Sequence, residues 1–233
     1  MLKAVVYAAT RHIYDRVVPC VRSAVMNGNI DEVILLIEDD VFPYELPGNV
    51  RVINVLGQKW FSSFNPNTQK RWRYMVLMKV CLSKLLPGYE RVVSLDCDTL
   101  VEHDLTELFE MELGDCFYAA VPQKDDGREG DFIDGPYYNA GVLVSNLELL
   151  RATGKDDDLI MMLNLKEYEF CEQDCINELC ARRIRALPGR WNVSDYTIED
   201  SEVYIWHFAS LPDWPLFPEA RKYMEGGIKN ALN

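Results

Sequence analysis

An α/β fold in a single domain is the prediction from the sequence, and three observations support it. Short runs rich in β-branched residues alternate along the chain with segments of helical periodicity, which is the pattern of α/β proteins. The chain has 233 residues, of which 48% are hydrophobic, so it can bury a sizeable core. No internal repeat, low-complexity tract or linker divides the sequence. We therefore expect residues 1–233 to form one domain.

The first half of the chain is predicted to contain four strands and two helices. The strands are the apolar runs "KAVVYA", "EVILLIE", "VRVINV" and "RVVSLD", whose Val and Ile residues favour extended backbone. Helical spacing of apolar residues predicts helices over 15–27 and 74–86. The second helix should end at Pro87 and Gly88, because proline and glycine stop a helix. Residues 57–69 are polar and turn-rich, so they are predicted to form a long loop.

The second half is predicted to contain three strands, "CFYAAV", "GVLVSN" and "VYIWHF", and helices over 156–165 and 172–183. The acidic residues 156–158 fit the first turn of a helix, where negative charge is favourable. Residues 124–136 are again polar and turn-rich. They are predicted to form a second long loop, of the kind that often binds ligands.

Charge and cysteine content argue against several classes of function. Lys and Arg total 24 against 37 Asp and Glu, a net charge of −13, which disfavours a nucleic-acid or anionic-membrane surface. No apolar run approaches the ~18 residues of a membrane-spanning helix, and no signal peptide is visible. Seven cysteines are then expected to be reduced thiols, with Cys171, Cys175 and Cys180 in helical spacing. We expect a cytoplasmic protein without nucleic-acid partners or a transmembrane segment.

The stretch "RVVSLDCDTLVEH" ends an apolar strand on two carboxylates, Asp96 and Asp98. Burying a carboxylate is costly unless it is paired or bound to a metal, so the pair is expected at the exposed end of the strand. Two chemistries use such a pair. One holds a divalent metal on the diphosphate of a sugar nucleotide, and the other uses the first Asp as the nucleophile of a phosphatase.

The phosphatase alternative has limited support. A strand followed by "DCDTL" resembles the first motif of haloacid-dehalogenase-type phosphatases. In those enzymes the motif opens the core domain, whereas about 95 residues precede it here. The later phosphatase motifs find only loose matches, in "LVSN" and "TGKDDD".

Four further motifs favour the sugar-nucleotide chemistry. "YYNAGVLVSN", "EQDCIN", "RWNV" and "IWHF" follow "LDCDTLV" in that order. Together these five motifs resemble glycosyltransferase family 8, and the resemblance covers nearly the whole chain, from "YAAT" to "IWHF". It implies a Rossmann-like, nucleotide-sugar-binding fold of the GT-A type, with a mixed central sheet flanked by helices.

The resemblance also implies an activity, that of a retaining, metal-dependent hexosyltransferase. Such an enzyme moves a hexose, here glucose or galactose, from a UDP-sugar to a hydroxyl of a carbohydrate, glycoconjugate or protein acceptor. The alternative within the family is a catalytically weak relative that only binds sugar nucleotides.

The implied metal site consists of Asp96, Asp98 and His207, with Mn²⁺ as the expected ion and Mg²⁺ as the alternative. Residues i and i+2 of an extended chain point the same way, so both carboxylates can face one site. Ligands of open α/β sheets bind beyond the carboxyl ends of strands, where this pair is predicted to lie. Two carboxylates with one imidazole suit Mn²⁺ better than Mg²⁺, which prefers oxygen ligands.

Further residues are implied to contact the donor. Cys97 lies between the two aspartates, and Lys79 matches a family Arg or Lys that meets the phosphates. Asn139 would hydrogen-bond the donor sugar, and Ala140 and Gly141 are small enough to let backbone amides approach it.

The first loop of the family holds the uracil, and "YAATRHIY" matches it. The residues expected to line the base are Ala8, Ala9 and Thr10. Tyr14 is expected to stack on the base. Arg11 and His12 depart from the acidic or Asn residue that usually follows in the family, which puts the identity of the base in question.

The motif "EQDCIN" implies the catalytic residues Glu172, Gln173 and Asp174, which would lie against the transferred sugar. Glu172 stands where the family usually has Asp. Asp174 could act as the nucleophile of a double displacement. We favour a route on one face of the sugar, in which the leaving diphosphate takes the acceptor's proton and Gln173 steadies the sugar, because Gln is a poor nucleophile.

After His207 the family usually has a Gly and then a Lys, whereas this chain has Ser210 and Asp213. Losing that cation removes a charge-assisted contact to the diphosphate, which Lys59 or Lys70 could replace. The acceptor pocket is expected to come from residues 124–136 and the C-terminal tail, whose sequences do not identify the acceptor.

Overall fold

A seven-stranded mixed sheet forms the centre of the protein. The computed structural model describes residues 2–68, 73–123, 135–194, 202–209 and 211–224. The strands of the central sheet are β1 (Ala4–Ala8), β2 (Glu32–Ile37), β3 (Val50–Asn54), β4 (Arg91–Leu95), β6 (Tyr118–Pro122), β7 (Tyr138–Asn146) and β8 (Ile184–Ala186). Two further strands, β5 (Thr99–Val101) and β9 (Ile205–His207), pair antiparallel in a small separate sheet.

The strand order of the central sheet is β3-β2-β1-β4-β7-β6-β8. Strands β3, β2, β1 and β4 run parallel, β7 is antiparallel to both β4 and β6, and β8 is parallel to β6. The chain leaves β1 towards β2 and β3, and then returns to place β4 on the other side of β1. The carboxyl ends of β1 and β4 therefore flank a topological switch point, where ligands of open α/β sheets bind.

Helices pack against both faces of this sheet. They are α1 (Tyr14–Asn27), α2 (Leu82–Leu85), α3 (Thr106–Glu110), α4 (Leu147–Thr153), α5 (Lys155–Leu165), α6 (Cys171–Cys180) and α7 (Pro218–Met224). Successive side chains of a strand point to opposite faces, so Val5 and Tyr7 of β1 lie in one core with residues of α1, α3 and α7. Ala4 and Val6 lie in the other core with residues of α2, α4, α5 and α6.

The predicted α/β class is confirmed, and each of the seven predicted runs contains a strand. The last of these strands, β9, belongs to the small sheet and not to the central one. Strands β5 and β8 have no counterpart among the predictions, because three residues are too few to show a periodicity. Helices α3, α4 and α7 were also missed, and each has only five to seven residues.

The prediction of an α-helix over 74–86 is wrong for most of that segment. Residues 73–81 form a 3₁₀ helix, and only Leu82–Leu85 is α-helical. Side chains three positions apart line up in a 3₁₀ helix, so Val76 and Lys79 project in one row, and Leu82 follows at the start of α2. They line a cavity of about 20 Å³ beneath Asp96, which has room for a single water. The 3₁₀ geometry thus aims Lys79 at the switch point.

The remaining predictions concern loops and thiols. Residues 57–68 contain no helix or strand, as predicted, whereas only Gly135 and Pro136 of the loop 124–136 lie in the described part. The thiols of Cys171, Cys175 and Cys180 are buried in the core and belong to no disulfide, as expected of reduced cysteines. Within the described ranges no helix combines the length and the apolar character needed to cross a membrane.

Candidate active site

Asp96, Asp98 and His207 lie together beyond the carboxyl end of β4. Each offers a ligand atom, and these atoms all lie within 4.8 Å of one another. His207 Nε2 is 3.3 Å from Asp98 Oδ1 and 3.6 Å from Asp96 Oδ2. The imidazole is buried and the two carboxylates are partly exposed. The structure therefore brings together all three residues that the sequence predicts as metal ligands.

Strand pairing brings His207 to the two aspartates, which precede it by more than 100 positions in the sequence. Strand β5 pairs with β9 so that Thr99 lies opposite His207, and Phe208 N–H donates to the Asp98 carbonyl at 2.8 Å. On the other side, Asp96 N–H donates to the Gly141 carbonyl at 2.9 Å, which extends the pairing of β4 with β7. The two aspartates thus occupy a turn that is held by β7 and β9.

The three side chains fit a divalent cation. Among the residues that the structure describes, Asp98 Oδ1 is buried and forms no hydrogen bond, although His207 Nε2 lies 3.3 Å away and buried polar atoms normally form one. Carboxylate oxygens and an imidazole nitrogen form a donor set that divalent transition metals accept. A cation held by Asp96, Asp98 and His207 would give that oxygen a partner and offset the two negative charges.

Electrostatic interactions shift the pKa values of His207 and Asp98 in opposite directions. Burial lowers the pKa of His207, but Asp98 and Asp96 more than offset this, so the pKa lies above its ordinary value. Burial raises the pKa of Asp98, but His207 and Lys79 outweigh it, so the pKa is lowered. The metal-free protein therefore favours an imidazolium beside a carboxylate, and a metal binding at Nε2 must displace that proton.

Lys79 is buried beside the aspartate pair and is not an ordinary lysine on a helix surface. Its Nζ donates to Asp96 Oδ1 at 2.6 Å and to the Ala140 carbonyl at 2.8 Å, and lies 3.3 Å from Glu172 Oε1. Burial lowers the pKa of Lys79, but Asp96 and Glu172 outweigh it and the pKa is raised. A buried positive charge thus links the motif "DCD" to the motif "EQD".

Glu172 and Asp174 are both buried at the start of α6, so this helix start is not a solvated surface. Burial raises the pKa of Glu172 to about 7 despite the opposing effect of Lys79, and Asp96 adds to the rise. Glu172 therefore exchanges a proton near neutral pH in the folded protein. Its longer side chain reaches Lys79 from the first turn of the helix.

Gln173 and Asp174 hold α6 against β7. Gln173 Oε1 accepts from Ala140 N–H at 2.9 Å, and Gln173 Nε2 donates to the Tyr137 hydroxyl at 2.9 Å. The Tyr137 hydroxyl donates to Asp174 Oδ1, and Asp174 Oδ2 accepts from Phe170 N–H at 2.8 Å. Asp174 therefore bonds across to Tyr137, just before β7, through Oδ1 and to the backbone just before α6 through Oδ2, so both of its oxygens are engaged.

The small residues of "YYNAG" differ from the expectation that their backbone amides approach the sugar. Ala140 N–H donates to Gln173, and Gly141 N–H donates to Asn139 Oδ1 at 2.8 Å, so both amides already have partners. A Cβ at Gly141 would lie 2.1 Å from His207 Cε1, far inside any allowed contact. Glycine is required here because the imidazole lies directly against the strand.

Tyr14 does not offer an open ring at the N-terminal loop. Its ring is buried and packs on Phe42 with centroids 5.1 Å apart. Its hydroxyl accepts from Glu38 N–H and donates to Asp39 Oδ2, both at 2.9 Å. Asp39 also forms an ion pair with exposed Arg11. The predicted stacking of a base on Tyr14 would require the ring to leave this buried position.

The other residues of that loop differ in how deeply they are buried. Ala9 is fully buried, so its side chain packs in the core and does not line an open surface. Ala8, the last residue of β1, and Thr10, which lies beyond it, are half-buried. Cys97 Sγ donates to the Ala8 carbonyl at 3.2 Å, which ties the aspartate turn to this loop.

The segment after His207 is described only in part. Asp213 is exposed and, with Asp15 and Arg16, lines an open concavity of about 240 Å³, so Arg16 is a cation beside the position of the missing family lysine. Lys59 is exposed in its loop. The other residues named for this region, Ser210 and Lys70, lie outside the described residues, as do 124–134 and most of the tail.

Tyr137 and Asn192 belong to the site, although sequence reasoning assigned them no role. Tyr137 lies between Gln173 and Asp174, and Asn192 Oδ1 is 2.9 Å from His207 Nδ1. Both stand inside motifs that the sequence singled out, "YYNAG" and "RWNV". Their position within those motifs was the available signal.

The chain is similar to a known protein family and to single known proteins. The model of glycosyl transferase family 8 matches residues 30–208, which is more than half of the chain and includes the aspartate pair and the histidine. General stress protein A of Bacillus subtilis (strain 168) is 27% identical over 115 residues, which are 46% of this chain and 40% of that protein. This chain therefore matches less than half the length of that curated relative.

Two solved structures are similar over almost the whole chain. The galactosyltransferase LgtC, in complex with donor and acceptor sugar analogs, has a TM-score of 0.71 at 20% identity and covers 95% of this chain and 94% of its own. The apo-form glycosyltransferase GlyE of Streptococcus pneumoniae TIGR4 has a TM-score of 0.74 at 19% identity, covering 97% of this chain and 60% of its own. At these identities the likeness establishes the fold, which is the predicted GT-A type.

Proposed function

Because this chain belongs to glycosyltransferase family 8, we propose that it moves a hexose, glucose or galactose, from a UDP-sugar to an acceptor hydroxyl and retains the anomeric configuration. The observation that carries the proposal is the cluster of Asp96, Asp98 and His207 at the switch point of the sheet. We propose Mn²⁺ as its ion, with Mg²⁺ as the alternative, because one ligand is an imidazole. The family match also decides against the phosphatase alternative.

The residues around the cluster are suited to a diphosphate. A divalent ion held by Asp96, Asp98 and His207 would supply Lewis-acid stabilisation of the charge that develops on the leaving UDP. The positive charge of buried Lys79 offsets part of the negative charge of Asp96 and Glu172. A cation on the opposite side of Asp98 would then make the site attractive to a dianion in a protein whose net charge is −13.

The donor would lie over the carboxyl ends of β1 and β4, as the switch point favours. LgtC, which shares this fold, binds donor and acceptor sugar analogs. In this chain, Ala8, Thr10 and Cys97 would meet the nucleoside side of the donor. Asn139 would meet the sugar through Nδ2, whose contact to Gln123 Oε1 is long at 3.3 Å.

The arrangement of carboxylates supports transfer on one face of the sugar. Asp174 has both oxygens engaged with Tyr137 and Phe170, and Glu172 is buried against Lys79, so neither is set up as a nucleophile. In the one-face route the acceptor oxygen bonds to the anomeric carbon while the bond between that carbon and the diphosphate oxygen breaks. The hydroxyl proton passes to the leaving diphosphate, and Gln173 positions the sugar.

The test is an assay of UDP release from UDP-glucose and UDP-galactose, with and without Mn²⁺, combined with NMR of any glycoside formed on a panel of carbohydrate acceptors. We expect Mn²⁺-dependent release and an α-linked product from the α-linked donor. Binding of UDP-sugar without release would favour the catalytically weak relative. A β-linked product would contradict retention, and failure to bind either donor would contradict the proposed function.

A further inference from the structure

A chain of hydrogen bonds runs behind the imidazole of His207 and ends on the backbone. His207 Nδ1 is 2.9 Å from Asn192 Oδ1, and Asn192 Nδ2 is 2.8 Å from Asn139 Oδ1. The same oxygen of Asn139 accepts from Gly141 N–H at 2.8 Å. The last member is a backbone amide, which can only donate, so the polarity of the chain has a fixed starting point.

This fixed donor sets the polarity of each group in turn. Asn139 must present its oxygen to Gly141 N–H, so Asn192 must present its amide nitrogen to that oxygen. Asn192 then presents its own oxygen to His207, which can bond to it only through an Nδ1–H. Neutral His207 therefore carries its proton on Nδ1 and its lone pair on Nε2, a tautomer that no amide flip along the chain can reverse.

We infer that Asn192, oriented by Asn139, is a positioning residue that presets His207 as an Nε2 ligand for a divalent cation. The Nε2 lone pair faces Asp98 Oδ1 at 3.3 Å and Asp96 Oδ2 at 3.6 Å. A lone pair facing two carboxylates is unfavourable unless a proton or a metal cation lies among them. Hydrogen bonds to the second nitrogen of a ligating histidine orient the ring and fix its tautomer. The identity of the cation rests on the proposed function, whereas the tautomer does not.

Backbone pairing fixes the same ring from two further directions. A Cβ at Gly141 would lie 2.5 Å from His207 Nδ1, so the imidazole lies flat against β7. Val193 forms an isolated bridge with Trp206, and His207 N–H donates to the Val193 carbonyl at 2.9 Å. This bridge holds Asn192 in register with β9. The motifs "YYNAG", "RWNV" and "IWHF" thus all contribute to the placement of a single imidazole.

The tautomer can be read directly from ¹H–¹⁵N correlation spectra of the histidine rings in the metal-free protein, at a pH above the pKa of His207. The chain has three histidines, and His12 and His103 are exposed. We expect His207 to show a protonated Nδ1 and an unprotonated Nε2. Asn192→Leu should abolish this preference. A protonated Nε2 in the wild-type protein would overturn the inference, and this measurement needs no variant to fold.

Affinity for Mn²⁺ alone, measured by electron paramagnetic resonance of the free ion, tests the consequence. We expect Asn192→Leu to bind Mn²⁺ about 10- to 100-fold more weakly than the wild-type protein. Asn146→Leu is the matched control, because Asn146 is also half-buried and its Oδ1 accepts from Leu149 N–H at 3.1 Å. Asn146 pairs with Arg91 at the amino end of β4, opposite to the end that carries the aspartates. The control should keep the wild-type affinity. Equal affinities for Asn192→Leu and the wild-type protein would overturn the inference.

Failure of the inference and failure of the proposed function give different results. A protein with the Nδ1–H tautomer and Asn192-dependent Mn²⁺ binding that never releases UDP would support the inference and contradict the function. A protein that transfers a hexose while neutral His207 carries its proton on Nε2 would overturn the inference alone.

Discussion

Asp98 Oδ1 is a buried oxygen that forms no hydrogen bond within the described part of the chain. Asp98→Asn replaces the charged carboxylate by a neutral amide of nearly the same shape. We expect Mn²⁺ affinity to fall by at least about tenfold, because a neutral amide is a poorer ligand than a carboxylate for a divalent ion. The fold should persist but the free energy of unfolding of the metal-free protein should fall, because the change removes a carboxylate that His207 and Lys79 stabilise. Mn²⁺ affinity is measured by electron paramagnetic resonance of the free ion. An unchanged affinity in Asp98→Asn would show that Asp98 is not a ligand of the metal.

Gly141 tests whether the imidazole must lie against β7. In Gly141→Ala the added Cβ would lie 2.1 Å from His207 Cε1, so the ring has to move away from the aspartates. We expect a loss of about 1–3 kcal/mol in the free energy of unfolding and at least about tenfold weaker Mn²⁺ binding. Gly88→Ala is the control, since a Cβ there meets nothing within 4 Å. Equal Mn²⁺ affinities of the two variants would show that Mn²⁺ binding does not depend on the position of the His207 imidazole.

Glu172 gives the protein a specific dependence of stability on pH. Its pKa is about 7 in the folded protein against an ordinary value of 4.5, so between these values the folded state keeps a proton that the unfolded state has lost. Rising pH in this window therefore favours unfolding, by up to about 1.4 kcal/mol per pH unit. Glu172→Gln cannot titrate and should lack this loss.

Urea unfolding of the metal-free proteins from pH 4.5 to pH 8 measures the effect. The free energy of unfolding of Glu172→Gln, relative to the wild-type protein, should increase across the window set by the two pKa values and level off above about pH 7. A difference that stays constant with pH would show that Glu172 titrates near its ordinary pKa.

The contact between α6 and β7 decides which residues of "EQDCIN" act on the substrate. Gln173 bonds to Ala140 N–H and the Tyr137 hydroxyl, so it is rigidly held where the sugar is proposed to lie. We expect Gln173→Ala to reduce kcat by about 10²-fold through lost positioning, with a smaller change in KM. Asp174→Asn should lower stability and turnover without trapping a sugar on the protein. A glycosyl adduct on Asp174, found by mass spectrometry, would replace the one-face route by a double displacement.

Elements differ in how far the sequence predicts them. Strands β1, β2 and β4 are continuous apolar runs, so they can be predicted from the sequence without knowing which strands they pair with. The 3₁₀ helix before α2 looks α-helical in sequence, because the position of Lys79 is set by contacts to Asp96 and the Ala140 carbonyl that only the folded chain contains. Strands β5 and β9 are three residues each, and their pairing with each other creates the site.

Side-chain roles also differ in how far the sequence predicts them. The candidate ligand set of Asp96, Asp98 and His207 is implied by the resemblance of the sequence motifs to the family, and the structure brings the three residues together. The role of Gly141 differs from the expected one because the imidazole occupies the space of its missing side chain. Asn192 has no role in the sequence reasoning, because a neutral amide shows its partner only after folding.

The molecule as a whole is strongly acidic, and its proposed ligand is too. The net charge is −13, and the site itself contains three acids, Asp96, Asp98 and Glu172, near Lys79 and His207. A diphosphate alone should therefore bind weakly, because like charges repel at short range. A divalent ion without the diphosphate would be held by only three protein ligands. Each partner completes what the other lacks, so their binding should be coupled.

Thermal unfolding with Mn²⁺ alone, UDP alone and both together tests this coupling most directly. A ligand that binds only the native state stabilises it by an amount that grows with its affinity, about 2.7 kcal/mol at 100 times Kd. We predict that the increase in Tm with both ligands exceeds the sum of the two separate increases, and that Asp98→Asn abolishes the excess. Additive or absent increases in the wild-type protein, or the same excess in Asp98→Asn, would contradict a metal–diphosphate site at Asp96, Asp98 and His207.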